Sequence, residues 1–452
     1  MKPIHANQLL AGLALAEAEP ITAVVTDSRK VVPGCVFVCF PGERVDGHDY
    51  AAAAYRAGAA YIVANHPVDG VPENRTVIVA SSHHAMVRMA SNYRMLFSPL
   101  MIGVTGSVGK TTTKEFCYAV LSAFGNTLKT EGNQNNEIGL PNTLFRLDDA
   151  TEYAVVEMGM SNLGEIERLA RAARPSAGII TLIGFSHLEN LGTRENILKA
   201  KLELCYGLPD GAPLALNADD DLLPTAKLPE RLRPVWFGID SPDADVRAVK
   251  ITAGDNGTDF VLSDKEYGDF PVHIPTVGLH TVSDALAAYA AATRLGLDPA
   301  KAAAALSNYQ TTGMRQNIVH KAGVTVIEDC YNASPDSMRA ALGVLKNQPA
   351  ERRVALLGDM LELGSVSEEA HRQVGEWAAE AGVDLLIAYG PLSAAMAQAA
   401  AEKGVTTLHC ETEQDVVGYV RQNVHAGDAL LAKASHAMKL DQVLEQFYAT
   451  LA

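Results

Sequence analysis

The sequence predicts an α/β fold divided among three domains, on three observations. The 452 residues exceed what one hydrophobic core fills, at roughly 100–200 residues per domain. Short apolar runs alternate with helical stretches along most of the chain, the pattern of parallel sheets covered by helices. A glycine-rich segment at 103–111, Gly-Val-Thr-Gly-Ser-Val-Gly-Lys-Thr, joins a strand to a helix, the context a phosphate-binding loop requires. Apolar residues make up 48% and charged residues 20% of the chain, a balance suited to packed cores rather than disorder. The net charge of -16 disfavours nucleic acid and anionic lipid as partners.

The elements follow in order. From 20 to about 95, the runs CVFVCF, AAYIVA and RTVIVA are divided by Gly, Pro and Asp clusters, and Asp49–Ala57 reads as a helix, together a small α/β unit. Pro99 disfavours helix at Ser98, so the expected domains are 1–97, 98–312 and 313–452. In the second, strands at Leu100–Val104, YAVVEM, AGIITLIG and PLALNA alternate with helices such as Gly164–Ala173 and His280–Leu295. In the third, VTVIED, RVALLG, DLLIAYG, VTTLHC and DALLAK alternate with helices, one opening on Ser334 as N-cap and Pro335 at its first position. Cys35, Cys39, Cys117, Cys205, Cys330 and Cys410 form no C-x-x-C pair, which argues against structural zinc and for a reducing compartment. Neither a leader nor an apolar run of ~18 residues is visible, so the expectation is a cytoplasmic protein without membrane insertion.

Within the glycine-rich segment, Gly106, Ser107 and Gly109 let backbone N–H groups curl around phosphate oxygens at a helix N-terminus. Lys110 supplies charge to the terminal phosphates, and the hydroxyls of Thr111 and Thr112 stand at the helix start, Thr111 placed for Mg²⁺. Val104 occupies the place of the usual first glycine. A plain βα turn would explain the glycines but not Gly-Lys-Thr. Glu157 ends the YAVVE run at the carboxyl edge of the expected sheet, where ligands of such folds collect, and a carboxylate there can hold Mg²⁺. His187 follows another strand run; by itself it reads as a structural histidine, since Mg²⁺ prefers oxygen. Lys201 by itself reads as a solvated helix charge.

The order T-G-S-V-G-K-T-T, T-E-G-N-Q-N-N-E-I-G-L-P, V-E-M-G-M, S-H-L-E-N-L-G, K-A-K-L-E resembles the Mur ligases over nearly the whole chain. The resemblance implies a small α/β uridine-nucleotide domain, a central P-loop ATPase domain with a mainly parallel sheet, and a C-terminal Rossmann-like domain. It implies ATP and two Mg²⁺, an acyl phosphate formed on a carboxylate, and an amine that attacks it. Glu157, His187, Thr111 and Thr130 would serve the metals, joined by Lys201 in carbamylated form. Asn136 and Arg315 would act in catalysis, Arg315 from a hinge toward the γ-phosphate. His280, Asp284 and Asp329 would contact the nucleotide.

The segment T-D-S-R-K…D-G-H-D-Y looks like the family's uridine-nucleotide domain, with Ser28 and Arg29 at substrate positions. Glu328–Met338 resembles the segment of members that add D-alanyl-D-alanine to UDP-N-acetylmuramoyl-tripeptide in peptidoglycan precursor synthesis, which implies substrate contacts at Asn332 and Ser334 and a monomeric enzyme. The alternatives are another amino-acid-adding member, a folate polyglutamylating enzyme lacking the first domain, or a catalytically weakened nucleotide-binding paralogue. Three places depart from the family pattern: Thr281 and Asp284 replace asparagines on the adenine side, Leu182 replaces another, and Lys433–Met438 reads K-A-S-H-A-M for K-G-S-R-G-M. An ionised Asp284 can only accept hydrogen bonds, so fewer direct adenine contacts are expected.

Overall fold

The computed structural model describes residues 1–42, 44–254 and 256–450. A two-stranded ribbon, β1 (Ile4–His5) and β2 (Pro20–Ile21), precedes a parallel sheet of β3 (Ala23–Val25), β4 (Cys35–Val38), β5 (Tyr61–Ala64) and β6 (Thr76–Ile78) in that order. Its apolar runs are continuous because both faces are covered. Val36 and Val38 enter one core, and Cys35 and Phe37 enter the other, the two-residue alternation of a strand. The helix expected at Asp49–Ala57 forms as a 3₁₀ turn, Gly47–Tyr50, running into helix Ala51–Arg56. Helix Ser82–Arg94 then packs on the next domain, and the buried Tyr93 hydroxyl donates to Leu147 O at 2.8 Å.

The largest sheet contains β7 (Leu100–Thr105), β8 (Thr127–Lys129), β9 (Tyr153–Glu157), β10 (Ala177–Ile180), β11 (Pro213–Asn217), β12 (Arg233–Gly238), β13 (Val246–Gly254), β14 (Gly257–Asp264) and β15 (Gly268–Ile274). The strand order is β15-β14-β13-β12-β11-β10-β7-β9-β8. Pairing is parallel from β8 through β13 and antiparallel across β13, β14 and β15. This meander at the sheet edge was not foreseen in the sequence. The run AGIITLIG is strand only to Ile180, because the backbone of Thr181 and Leu182 turns to serve the phosphate loop: Thr181 N–H donates to Thr105 O at 3.0 Å and Ser107 N–H to Leu182 O at 2.9 Å. Helix Leu279–Arg294 is alanine-rich because it lies buried against helix Lys110–Ser122 and the sheet, where small side chains allow close approach.

The last sheet has the order β16-β17-β21-β18-β19-β20, from β16 (Asn317–Lys321), β17 (Val324–Glu328), β18 (Arg352–Gly358), β19 (Leu385–Tyr389), β20 (Thr406–Cys410) and β21 (Asp428–Lys433). Every pair is parallel except β16 with β17. The edge strand β16 went unread in the sequence; the other five runs form as expected. Helix Pro335–Lys346 begins after Ser334 as its capping residues require. All six cysteines are free and buried. Among the described residues, no helix is long and apolar enough to cross a membrane.

Candidate active site

The phosphate loop leaves β7 at Thr105 and enters helix Lys110–Ser122. Two of its glycines are obligatory. Gly106 has φ 148° and a Cβ there would stand 1.9 Å from Thr181 Oγ1; Gly109 has φ 86° and a Cβ there would stand 2.5 Å from Asp284 Oδ1. Lys110 Nζ donates to Gly106 O at 2.9 Å and Ser107 O at 3.1 Å. Burial, opposed by the Glu157 charge, brings the Lys110 ammonium down to about 8.

Strand β9 delivers Glu157 beside this helix. Thr111 Oγ1 donates to Glu157 Oε2 at 2.9 Å, and Asn135 Nδ2 donates to Oε1 at 2.8 Å. Glu157 N–H in turn donates to Thr130 Oγ1 at 3.1 Å. Thr130 is wholly buried, with its Oγ1 engaged by that backbone N–H. Lys114, one helical turn past Lys110, is fully buried, with Nζ 3.1 Å from Glu115 and 3.9 Å from Glu157.

Lys201, on helix Arg194–Leu202, is 1% exposed and its Nζ has no hydrogen-bond partner. Burial and the neighbouring Lys110 hold its pKa well below the usual lysine value. Burial, Lys110 and Lys201 push the His187 imidazole down to about 4, which keeps it neutral at pH 7. Its Nδ1 lies 2.8 Å from Glu362 Oε2 without the alignment of a hydrogen bond.

A cleft of ≈340 Å³ between the central and C-terminal sheets is lined by Ser107, Gly109, Lys110, Thr111, Thr112, Asn136, Glu157 and His187. His280 and Asp284 join them from the helix Leu279–Arg294, and Arg315, Asp329, Asn332 and Ser334 come from the C-terminal side. Sequence reasoning thus brought most of its candidates to one place. Arg315 lies 3.8 Å over the Tyr331 ring. Asp329 accepts from Lys433 Nζ at 2.7 Å, and the same ammonium donates to Asn332 O at 2.8 Å. Ser334 N–H donates to Ser337 Oγ at 2.9 Å, closing the helix cap. A second cleft of ≈640 Å³ continues from Ser186 and His187 past Tyr331–Ser334 to Glu362, His436 and Lys439, and His436 stacks on Tyr331 with ring centroids 5.5 Å apart.

Other candidates stand apart or differ from expectation. Ser28 and Arg29 lie in the 3₁₀ turn Ser28–Lys30 of the first domain, outside this cleft; Arg29 is highly exposed and paired with Asp27 at 2.8 Å. Asn136 Oδ1 accepts from the N–H of Ile138 and Gly139 at 3.1 and 2.9 Å, which leaves its amide nitrogen for the cleft, and it is Asn135 that reaches Glu157. Asp284, expected as an ionised acceptor, is buried, and burial raises its pKa well above the usual carboxylate value. Its Oδ1 accepts from Thr113 Oγ1 at 2.8 Å while Oδ2 has no partner. Thr281 is also committed, donating to Gly278 O at 2.8 Å. Asn135, Lys114, Glu362 and Lys433 were not singled out; only Asn135 and Lys433 lay inside motifs already noticed.

A phosphate loop, an adjoining carboxylate–hydroxyl pair and a buried, unpartnered lysine at a two-domain cleft define a nucleotide-dependent transfer enzyme. Comparisons with known proteins make the assignment specific. The chain belongs to the Mur ligase family: the models described as Mur ligase family, catalytic domain, Mur ligase middle domain, and Mur ligase, glutamate ligase domain match residues 20–94, 104–292 and 314–436. It is an ATP-dependent ligase that forms a C–N bond. Among curated relatives, the UDP-N-acetylmuramoyl-tripeptide--D-alanyl-D-alanine ligase of Bacillus subtilis (strain 168) is 38% identical over 434 residues, 95% of this chain and 93% of the relative. The protein of that name from a Synechocystis strain is 36% identical, over 98% and 95%. The crystal structure of MurF from Acinetobacter baumannii superposes with a TM-score of 0.90 at 29% identity, over 99% of each chain. MurF ligase from Thermotoga maritima in complex with ADP superposes at 0.83 and 29%, over 95% and 97%.

Proposed function

We propose that this chain joins D-alanyl-D-alanine to UDP-N-acetylmuramoyl-tripeptide in peptidoglycan precursor synthesis, with conversion of ATP to ADP and phosphate. The observation that carries the reading is likeness along nearly the full chain, at 38% and 36% identity, to ligases of that name. The cleft geometry supports it. A terminal carboxylate oxygen of the tripeptide bonds to the γ-phosphorus as the β–γ P–O bond breaks and ADP leaves. The dipeptide amine then bonds to the acyl carbon, phosphate departs, and the nitrogen loses a proton. Transfer of this kind needs positioning and charge neutralisation more than covalent help.

The loop N–H groups and Lys110 bind the β- and γ-phosphates, and Arg315 approaches the γ-phosphate from the hinge. Asn136 and His280 complete the nucleotide side, while Asp284 supports the loop from below. Asp329 fixes Lys433. Asn332 and Ser334 face the amine substrate, and Ser28 and Arg29 take the uridine end. Domain bounds of 1–97, 98–312 and 313–452 divide these tasks, in a monomeric cytoplasmic protein.

Mg²⁺ fits the residues present. The Thr111 hydroxyl and Glu157 carboxylate, 2.9 Å apart, are hard oxygen donors of the type it prefers. Among the described residues no three His, Cys, Asp or Glu side chains converge as a ready metal cage, so phosphate oxygens and a modified lysine complete the set. Lys201 suits that part: it is a buried amine without a partner whose pKa burial lowers, and the unprotonated amine is the form that takes up CO₂ and becomes a carbamate. Thr130 acts by holding Glu157, and His187 offers a ring nitrogen. When bound, the metal neutralises charge on the phosphates. The test is phosphate release with UDP-N-acetylmuramoyl-tripeptide, with and without D-alanyl-D-alanine. Release independent of the dipeptide, or faster with a single amino acid, refutes the proposal.

A further inference from the structure

His187 and Glu362 face each other across the seam between the central and C-terminal sheets, and both hold left-handed backbone, at φ 64° and 63°. Non-glycine residues keep that conformation when surrounding contacts enforce it, and such positions gather at functional sites. Here the contacts come from the opposite domain. Glu189 N–H donates to Glu362 O at 3.1 Å, and Glu362 Oε2 lies 2.8 Å from His187 Nδ1. Gly364 passes so close that a Cβ on it would stand 3.3 Å from Glu189 Cα. Three residues before His187, a Cβ on Gly184 would stand 2.1 Å from Asp336 Oδ2. The turn 184–189 is therefore gripped by the C-terminal domain at two points.

With Nδ1 turned to Glu362, Nε2 is the nitrogen left for a metal. Imidazoles that bind metals commonly give their other N–H to a carboxylate, which fixes tautomer and ring orientation. Glu362 is suitably placed: a turn of the half-buried ring would align Nδ1–H with Oε2. We propose that Glu362 is a positioning residue whose carboxylate holds the His187 ring with Nε2 toward Mg²⁺, so that docking of the C-terminal domain completes the metal site. The inference rests on the reading of His187 as a metal ligand. Glu362 also lines the second cleft, where a carboxylate could instead receive the ammonium of the incoming dipeptide, and the experiment separates the two.

Mn²⁺ serves as the probe. Its affinity for the full-length protein with ADP is measured by electron paramagnetic resonance for the parent, Glu362→Gln, Glu362→Ala, His187→Ala and the double alanine variant. Glu362→Ala should weaken Mn²⁺ about 10–100-fold and Glu362→Gln less. In the His187→Ala background, Glu362→Ala should add no more than about twofold, and the KM for D-alanyl-D-alanine should stay within about twofold of the parent. Unchanged Mn²⁺ affinity in Glu362→Ala, an equal effect in both backgrounds, or a selective rise in dipeptide KM overturns the proposal. If His187→Ala alone leaves Mn²⁺ binding intact, the ligand reading falls and this inference falls with it. Should Glu362→Ala lose its cooperative melting transition, Glu362→Gln carries the same cycle.

Discussion

Asp284 offers a sharp test of the electrostatics beneath the phosphate loop. It is 6% exposed, accepts one hydrogen bond from Thr113, and leaves Oδ2 without a partner. Burial raises its folded pKa well above the ordinary carboxylate range. The folded chain therefore holds a proton that the unfolded chain releases as pH rises past about 4. The favourable contribution is fully present below that pH and is lost progressively toward the folded pKa, at about 1.4 kcal/mol for each pH unit between the two values. Asp284→Asn keeps the shape, presents a carbonyl oxygen to Thr113, and has no proton to release. The variant should match the parent near pH 4 and exceed its stability increasingly as pH rises from there toward the folded pKa. Thermal midpoints and denaturant midpoints of both proteins across pH 4–8 decide it. A difference that does not change with pH would falsify the desolvated carboxyl. Thr281 Oγ1 and Asp284 Oδ1 are engaged with protein groups, so Thr281→Asn with Asp284→Asn should change the KM for ATP through loop support rather than through new adenine contacts.

Other outcomes follow from the same site. Lys110→Ala should abolish ligation in a folded protein; near-parent turnover, with circular dichroism unchanged, refutes the role given to that ammonium. Because the free Lys110 titrates at about 8 and bound phosphate favours its charged form, ATP affinity should be full below pH 8 and fall by up to about tenfold per unit above it; calorimetric titrations at pH 7–9.5 would reveal a flat profile if this is mistaken. Lys201→Ala should lose activity and regain part of it with short carboxylic acids, while the parent should depend on bicarbonate; an unmodified amine by mass spectrometry together with no rescue counts against the carbamate. Gly106→Ala forces a Cβ to 1.9 Å from Thr181 Oγ1, and strain on the order of 3 kcal/mol should weaken ADP binding about a hundredfold, which equilibrium dialysis would detect.

Much of the architecture was legible because its causes are local. Continuous apolar runs between glycine and proline punctuation became the parallel strands β4, β5, β7, β9 and β17–β21. Ser334-Pro335 opened a helix because capping needs only neighbouring groups. The order Gly-Lys-Thr at a helix start announced a phosphate loop for the same reason. The β13–β15 meander was missed: β13 and β15 carry mixed, half-exposed side chains at a sheet edge, where no clean alternation survives.

The sequence by itself therefore determined the three-part α/β plan, the phosphate loop, and the residues most able to handle phosphates and metal. Tertiary structure decided their chemical states. Thr113 and Asp284 meet across 171 residues, and it is the removal of water there that raises the carboxyl's pKa, against the lowering pull of the Thr113 hydroxyl. Asn135 rather than Asn136 touches Glu157, a choice set by the turn of one loop. Lys201 reads as a solvated charge in sequence and is a dry, unpartnered amine in the fold; His187 gains its carboxylate neighbour from a separate domain. The reason is common to all four. Local order depends on neighbours along the chain, whereas protonation, reactivity and ring orientation depend on which distant groups exclude water from one another.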